Sequence, residues 1–194
     1  MPRLFIAIDP SESVRDRLAG LQGGVPGARW VRPDNIHLTL LFLGEVDAPT
    51  AADLDTQLGR IGATAFELRI AGVGTFGPAR NPTALWAGAA RSRPLRFLHD
   101  KVDRAAVAAG LPADDRKFKP HLTLARLKGA RVERLRSWLS DNDALALDPV
   151  EVDRFILFRS HLNRDGAIHE PLAEYPLTVG SRSETPAQID AGVR

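Results

Sequence analysis

Cysteine is absent from the 194-residue sequence, so the chain has neither a disulfide framework nor a thiolate metal site. Long apolar runs are missing as well. The run from Leu4 to Ile8 is too short for a secretion signal, and no stretch approaches the roughly 20 apolar residues that a membrane span needs. We therefore expect a cytoplasmic protein that does not associate with membranes.

The chain also has little net charge. It contains 26 Lys and Arg residues against 24 Asp and Glu residues, a formal net charge of +2. Such a balance excludes strong non-specific wrapping of duplex nucleic acid but allows a local positive cleft that holds a few phosphates. With 44% hydrophobic residues, the chain can form one substantial core. We expect one domain over residues 1–179 and a polar, flexible tail over residues 180–194.

What the sequence does contain is a repeated tetrapeptide, His-Leu-Thr-Leu, at positions 37–40 and 121–124. Successive side chains of a β-strand point to opposite faces, so each copy places its histidine and threonine together. If the two strands are neighbours in one sheet, both imidazoles converge on one cavity. Because an unperturbed imidazole titrates at about 6.5, His37 and His121 suit general acid and base catalysis. One copy alone would be a weak signal.

The order of predicted elements is also repeated. Strand, helix, motif strand, helix and strand follow one another roughly twice, which predicts an α+β fold of two lobes. We expect a pseudo-twofold arrangement with two antiparallel sheets, outer helices and a central cleft. The glycine-rich stretch at 72–78 lacks the spacing of a nucleotide-binding phosphate loop and is predicted to be a turn between strands.

Several segments together resemble a known family. They are Arg3-Leu4-Phe5-Ile6-Ala7-Ile8, Trp30-Val31, Phe42-Leu43-Gly44, the run from Phe118 to Arg126, Leu157-Phe158-Arg159-Ser160 and Glu170-Pro171-Leu172. With the two motifs, they resemble the two-histidine (2H) phosphoesterases. Within that superfamily the sequence is similar to the RNA 2′,3′-cyclic phosphodiesterases, also described as 2′-5′ RNA ligases. The resemblance implies the same bilobal fold, with the site on the concave sheet faces.

The resemblance also implies a reaction. RNA ends or nucleotides with a 2′,3′-cyclic phosphate would be hydrolysed to a 2′-phosphomonoester, without a cofactor. His37 would be the proton donor to the leaving 3′ oxygen, and His121 the proton acceptor that activates water. This chemistry requires no metal, and neither motif has the additional ligands of a histidine zinc site.

Four further residues are candidates for binding the substrate. Thr39 and Thr123 can donate hydroxyl hydrogens to the non-bridging phosphate oxygens, and the guanidinium of Arg126 can bind the same charge. Trp30 is a candidate for stacking on a base, although core packing is an equal alternative.

Other positions are left open by the sequence. Asn35 stands two residues before His37, where the resemblance favours an acidic residue, so the partner of His37 is undetermined. His161 and His169 have no spacing that demands a role, and we treat both as structural or surface residues.

Two alternatives compete with cyclic phosphate hydrolysis. One is a related phosphodiesterase or ligase that acts on 2′-5′ linked oligonucleotides, which the motifs do not separate from the first activity. The other is a non-catalytic nucleotide- or RNA-binding module, against which the intact histidines and threonines argue. In each case we expect a monomer with no obligate protein partner.

Overall fold

The computed structural model describes residues 1–163 and 166–179, and this part of the chain contains ten strands and four α-helices. The strands are β1 (Arg3–Ile8), β2 (Ala28–Trp30), β3 (Leu38–Glu45), β4 (Phe66–Leu68), β5 (Ile70–Phe76), β6 (Ala84–Ala89), β7 (His121–Leu127), β8 (Val150–Val152), β9 (Arg154–Asn163) and β10 (Gly166–Pro176). The helices are α1 (Glu12–Ala19), α2 (Ala48–Leu58), α3 (Arg93–Ala108) and α4 (Val132–Asp141). A 3₁₀ turn at Pro33–Asn35 precedes the first motif.

Eight strands form one antiparallel sheet in the order β10-β9-β1-β3-β7-β6-β5, with β2 paired to β7. The strands β4 and β8 form a separate two-stranded antiparallel sheet. In the large sheet, one half contains the first motif on β3 and the other half contains the second motif on β7. The predicted α+β fold with antiparallel sheets and outer helices is confirmed.

The two halves of the large sheet meet through one residue pair, Leu38 of β3 with Leu122 of β7, and these two strands run antiparallel. Both leucines are fully buried, and they belong to a core cluster that includes the apolar faces of all four helices. The two halves therefore share one hydrophobic core on the helix side of the sheet.

Strand β1 is buried on both of its faces. Its even-numbered residues belong to the large core, whereas Phe5 and Ala7 form a second cluster with Ile156 and Phe158. Because strand side chains alternate, this second cluster lies on the face away from the helices. That face, which we call the site face, also contains the polar residues of both motifs.

Capping residues determine where two of the helices begin. The Asp47 carboxylate accepts a hydrogen bond of 2.9 Å from the Thr50 backbone N–H at the start of α2. The Ser92 hydroxyl accepts one of 3.3 Å from the Leu95 N–H at the start of α3. Each helix also has a proline in its first turn, where no intrahelical N–H bond is lost.

The prediction of a glycine-rich turn at 72–78 is wrong over most of its length, because β5 continues to Phe76. Gly74 pairs with Trp86 of β6, and a Cβ atom at Gly74 would overlap the Trp86 ring. Gly72 has φ +69 beside a register shift between β5 and β6. These glycines permit a bulge and a close ring contact within a strand.

In the part of the chain that the structure describes, no helix combines the length and apolarity needed to cross a membrane. The tail predicted for residues 180–194 lies outside the described residues.

Candidate active site

The site is built at the junction of β3 and β7. Leu38 and Leu122 pair across the junction and point into the core. Because the strands are antiparallel, the residue before Leu38 lies across from the residue after Leu122, and the reverse also holds. His37 is therefore opposite Thr123, and Thr39 is opposite His121. All four side chains are half-buried on the site face. The sequence-predicted histidines and threonines are thus brought together.

Both imidazoles are held in the same way. Nδ1 of His37 lies 2.8 Å from the carbonyl oxygen of Asn35, and Nδ1 of His121 lies 2.7 Å from the carbonyl oxygen of Lys119. A carbonyl oxygen only accepts, so each Nδ1 must carry the hydrogen and donate it. Each neutral ring therefore presents Nε2 as the nitrogen that can exchange a proton with a ligand.

Asn35, two residues before the first motif, has a role that its side-chain type did not predict. The acidic partner expected for His37 is replaced by the main-chain carbonyl of Asn35. The side chain of Asn35 instead donates from Nδ2 to the carbonyl oxygen of Ala167, at 2.6 Å. Asn35 therefore joins the 3₁₀ turn to β10 while its backbone orients the imidazole.

Burial makes both histidines weaker bases. The pKa of His37 is lowered from 6.5 to about 4, mainly by desolvation and next by the nearby His169 imidazole, while the bond to Asn35 opposes the shift. His121 and Arg126 make smaller lowering contributions to the pKa of His37. The pKa of His121 is also lowered, mainly by burial and partly by Arg126. In the free protein at neutral pH, the neutral form therefore predominates for both imidazoles.

A β-bulge follows the threonine of each motif. The pairing of β3 with β1 skips Leu40, and the pairing of β7 with β6 skips Leu124. Each skipped leucine and the residue after it are buried, so the next residue returns to the site face. That residue is Phe42 in the first strand and Arg126 in the second. The bulge thus explains how Arg126 reaches the histidines, whose pKa values it lowers.

Trp30 is not brought to the histidines. In the pairing of β2 with β7, Trp30 lies across from the buried Ala125, which places it on the helix side of the sheet. Its ring is 6.0 Å from the ring of Trp138 on α4, and it packs against the large core. Of the two roles considered for Trp30, the structure supports core packing. In the same strand register, its neighbour Arg29 lies across from Arg126.

A third histidine, which sequence reasoning did not assign to the site, lies against His37. The ring of His169 on β10 is 5.0 Å from that of His37, edge to face, and 4.8 Å from Phe5. Burial lowers the pKa of His169. The site thus has three imidazoles. His161, in contrast, makes an exposed 2.7 Å hydrogen bond with Glu170, as expected for a surface residue.

The two halves of the site differ in character. Beside His37 lie the buried ring of Phe5, at 4.8 Å, and that of Phe158, at 6.4 Å. Beside His121, Phe76 makes an edge contact at 4.7 Å, and a cavity of about 240 Å³ opens. That cavity is lined by Phe76, Trp86, Gly88, Ala89, Arg91, Lys119, Pro120 and His121. A larger hollow of about 350 Å³ near Gly24 and Arg134 includes none of these residues.

Within residues 1–163 and 166–179, no group of three or more His, Cys, Asp or Glu side chains is arranged to hold a metal ion. The polar groups on the site face include the imidazole, hydroxyl and guanidinium groups that were predicted to bind and protonate a phosphate ester.

Comparison with known proteins identifies the family of the chain. The family described as LigT-like phosphoesterase matches residues 8–86 and 89–169, which is most of the chain. The chain belongs to this family. An RNA 2′,3′-cyclic phosphodiesterase of Aeropyrum pernix is 35% identical over 163 residues, covering 83% of this chain and 91% of that protein. One of Archaeoglobus fulgidus is 32% identical over 176 residues, covering 88% and 97%.

Solved structures of the LigT-like phosphoesterases have the same fold. The crystal structure of E. coli LigT with 3′-AMP has a TM-score of 0.71 and 30% identity, covering 92% of this chain and 99% of that one. The complex of E. coli LigT with NADP⁺ has a TM-score of 0.70 and 29% identity, with 91% and 98% coverage. This chain is therefore an enzyme of the phosphoesterase class.

Proposed function

We propose that this phosphoesterase hydrolyses the 2′,3′-cyclic phosphate at RNA ends or on nucleotides to a 2′-phosphomonoester, by acid and base catalysis with two histidines and no metal. The observation that carries the proposal is the matched pair of imidazoles. Each has Nδ1 held by a carbonyl two residues earlier, so each has Nε2 available on the same face. The activity printed for the relatives, RNA 2′,3′-cyclic phosphodiesterase, supports the choice of substrate.

The proposed reaction balances with these two groups. Nε2 of His121 accepts a proton from water while the water oxygen bonds to phosphorus. The bond from phosphorus to the ribose 3′ oxygen breaks, and Nε2 of protonated His37 donates its proton to that oxygen. The product has a 2′-phosphate and a 3′-hydroxyl, and exchange of protons with solvent restores the two rings. Each proton transfer contributes about 10²–10⁴-fold.

The remaining predicted residues stabilise the phosphate in this proposal. The hydroxyls of Thr39 and Thr123 lie across from the opposite motif's histidine, so they can donate to the non-bridging oxygens from two sides. Arg126 brings a fixed positive charge, whereas both imidazoles are neutral in the free protein. The negative charge that develops on the phosphate is thus stabilised by oriented hydrogen-bond donors in a partly desolvated site.

The test is to measure opening of a nucleoside 2′,3′-cyclic phosphate in EDTA, with the position of the product phosphate resolved. We expect wild type to give the 2′-phosphate, and His37→Ala and His121→Ala each to lose about 10²–10⁴-fold in rate. His161→Ala is the matched control, because it removes an exposed imidazole paired with Glu170 and should leave the rate unchanged.

Other outcomes assign other functions. Binding without turnover by the wild type would identify a nucleotide-recognition module, and loss of activity in EDTA would refute the metal-free mechanism. A 2′-5′ linked dinucleotide, assayed in parallel, tests the related activity on such linkages. The monomeric state and the cellular location expected from the sequence stay predictions.

A further inference from the structure

The proposed reaction uses two of the three imidazoles at the site and assigns no role to His169. The His169 ring is half-buried and packs against three other rings, at 5.0 Å from His37, 4.8 Å from Phe5 and 6.5 Å from Phe158. Within the described part of the chain, neither ring nitrogen of His169 makes a hydrogen bond. A polar ring that is fixed by packing and has no polar partner is suited to contact a ligand.

The strand register places two further polar side chains beside His169. Ser160 of β9 lies across from His169 on one side and across from Arg3 of β1 on the other. Paired residues of neighbouring strands share a face, so these three side chains form one row on the site face. The next row on that face contains Phe5 and Phe158. An imidazole, a hydroxyl and a guanidinium thus border the aromatic part of the site, and all three can donate hydrogen bonds.

Arg3 already has a carboxylate neighbour, but that contact is weak. The Arg3 Nε lies 3.6 Å from Glu45 of β3, and both side chains are more than half exposed. An ion pair in such a position contributes little, because solvent screens it. Glu45 also lies on the opposite side of Arg3 from Ser160, so the carboxylate is the member of the row furthest from His169. The guanidinium is therefore available to an anion bound beside Ser160.

The closeness of His169 to His37 indicates which part of the substrate would reach this row. This step rests on the proposed function, in which His37 protonates the ribose 3′ oxygen. In ribose, C3′ is bonded to C4′, which leads to the 5′ oxygen, whereas the base is attached to C1′ on the other side of C2′. The part of the nucleotide next to the leaving oxygen is therefore its 5′ branch. In an RNA chain, the 5′ oxygen carries the phosphate that joins the terminal nucleotide to the one before it.

We propose that His169, Ser160 and Arg3 bind the phosphate on the 5′ oxygen of the terminal nucleotide, so that the enzyme prefers the end of an RNA chain to a free nucleoside cyclic phosphate. Hydrogen bonds from guanidinium or imidazolium groups to phosphate are stronger than those between neutral groups. A phosphate beside His169 also favours the protonated form of its ring, which strengthens the contact. A backbone phosphate carries no base identity, so this site would recognise the presence of a chain and not its sequence.

The experiment compares two ligands that differ only at the 5′ oxygen. One is adenosine 2′-phosphate, and the other has in addition a methyl phosphate diester on its 5′ oxygen, which imitates an RNA chain. Affinities are measured by calorimetry, which requires no turnover, and kcat/KM is measured for the two corresponding 2′,3′-cyclic phosphates. The proteins are wild type, His169→Phe, Arg3→Gln and the control His161→Ala. His161 lies on the same hairpin as His169 but points to the opposite face.

We expect wild type to bind the ligand with the 5′ phosphate about 10- to 100-fold more tightly, because this ligand gains charge-assisted hydrogen bonds. His169→Phe keeps the ring packing but removes both nitrogens, and it should lower this ratio about 5- to 10-fold. Arg3→Gln should lower the ratio as well, and His161→Ala should leave it unchanged. The ratio cancels any effect of His169 on His37, since both ligands contain the same 2′-phosphate.

Equal binding of the two ligands by wild type would overturn the inference, and so would a wild-type ratio in His169→Phe. If His169→Phe binds neither ligand, the ratio for Arg3→Gln decides, because the exposed Arg3 side chain can be changed without loss of packing. Failure of the proposed function has a different signature. Wild type would then leave both cyclic phosphates intact, while the calorimetric ratio still tests the site for the 5′ phosphate.

Discussion

His37 should take up a proton when a phosphate group binds beside it. With a pKa of about 4, His37 carries a proton in about one free molecule in a thousand at pH 7. Protonating it at that pH costs about 4 kcal/mol, because each pKa unit corresponds to about 1.4 kcal/mol. The anionic phosphate has to offset this cost if His37 is the acid, and a nearby opposite charge raises the pKa of a histidine by about 1–3 units.

Nuclear magnetic resonance of ¹⁵N-labelled histidines measures this directly. The free protein and its complex with 2′-AMP are titrated between pH 3.5 and 8, with His37→Asn used to assign the signal. We expect the pKa of His37 near 4 in the free protein and at least two units higher in the complex. In the variant His169→Phe, the free value should rise, because the second-largest cause of its lowering is removed.

Stability gives an independent measurement of the free state. The unfolded chain binds the His37 proton near pH 6.5 and the folded chain only near pH 4, so the unfolded form holds more protons between these values. The free energy of unfolding should therefore fall as the pH drops through this window, by at most about 3 kcal/mol from this group. Urea titrations should show a weaker pH dependence for His37→Phe.

Two results would refute this reasoning. A pKa near 6.5 for His37 in the free protein would mean that burial does not suppress its charge. Proton uptake by His121 instead of His37 in the complex would reverse the proposed roles of acid and base.

The remaining predictions concern residues that support the site. Asn35→Ala should lower the free energy of unfolding by about 1 kcal/mol in urea titrations, because the 2.6 Å bond to the Ala167 carbonyl is lost. Asp34→Ala, which removes an exposed neighbour, should have no effect, and equal losses would contradict the assignment. Gly74→Ala should cost about 1–3 kcal/mol and change tryptophan fluorescence, since the new methyl group displaces the Trp86 ring. Gly59→Ala, at an unstrained helix end with ordinary contacts, is its control, and similar thermal unfolding of both variants would refute the packing argument.

The histidine and threonine positions could be predicted because a strand pattern and a repeat are local properties of a sequence. Two leucines in each motif demand a buried face, and the alternation then fixes where His37 and His121 point. The fold class followed for the same reason, since the apolar periodicity that forms strands and helices is visible in short windows.

Long-range pairing explains what the sequence did not reveal. His169 reaches His37 only because β10, β9 and β1 lie side by side, and no local spacing encodes that order. The local sequence around Trp30 suits a ligand contact and the core equally, and only its pairing across the sheet with Ala125 assigns it to the core. The glycines of β5 look like a loop unless the ring of Trp86, on another strand, is taken into account.

The paired bulges in β3 and β7 have a consequence for how the cleft can change. Each motif strand has two residues between its threonine and the next side chain on the site face, where regular alternation has one, so deleting one of the two would remove the bulge and still leave Phe42 or Arg126 on the site face. Exchanging the side chains of Phe42 and Arg126, in contrast, needs no change in the backbone. The two substitutions Phe42→Arg and Arg126→Phe would thus move a positive charge from the His121 half of the site face to the His37 half while the strand register stays the same.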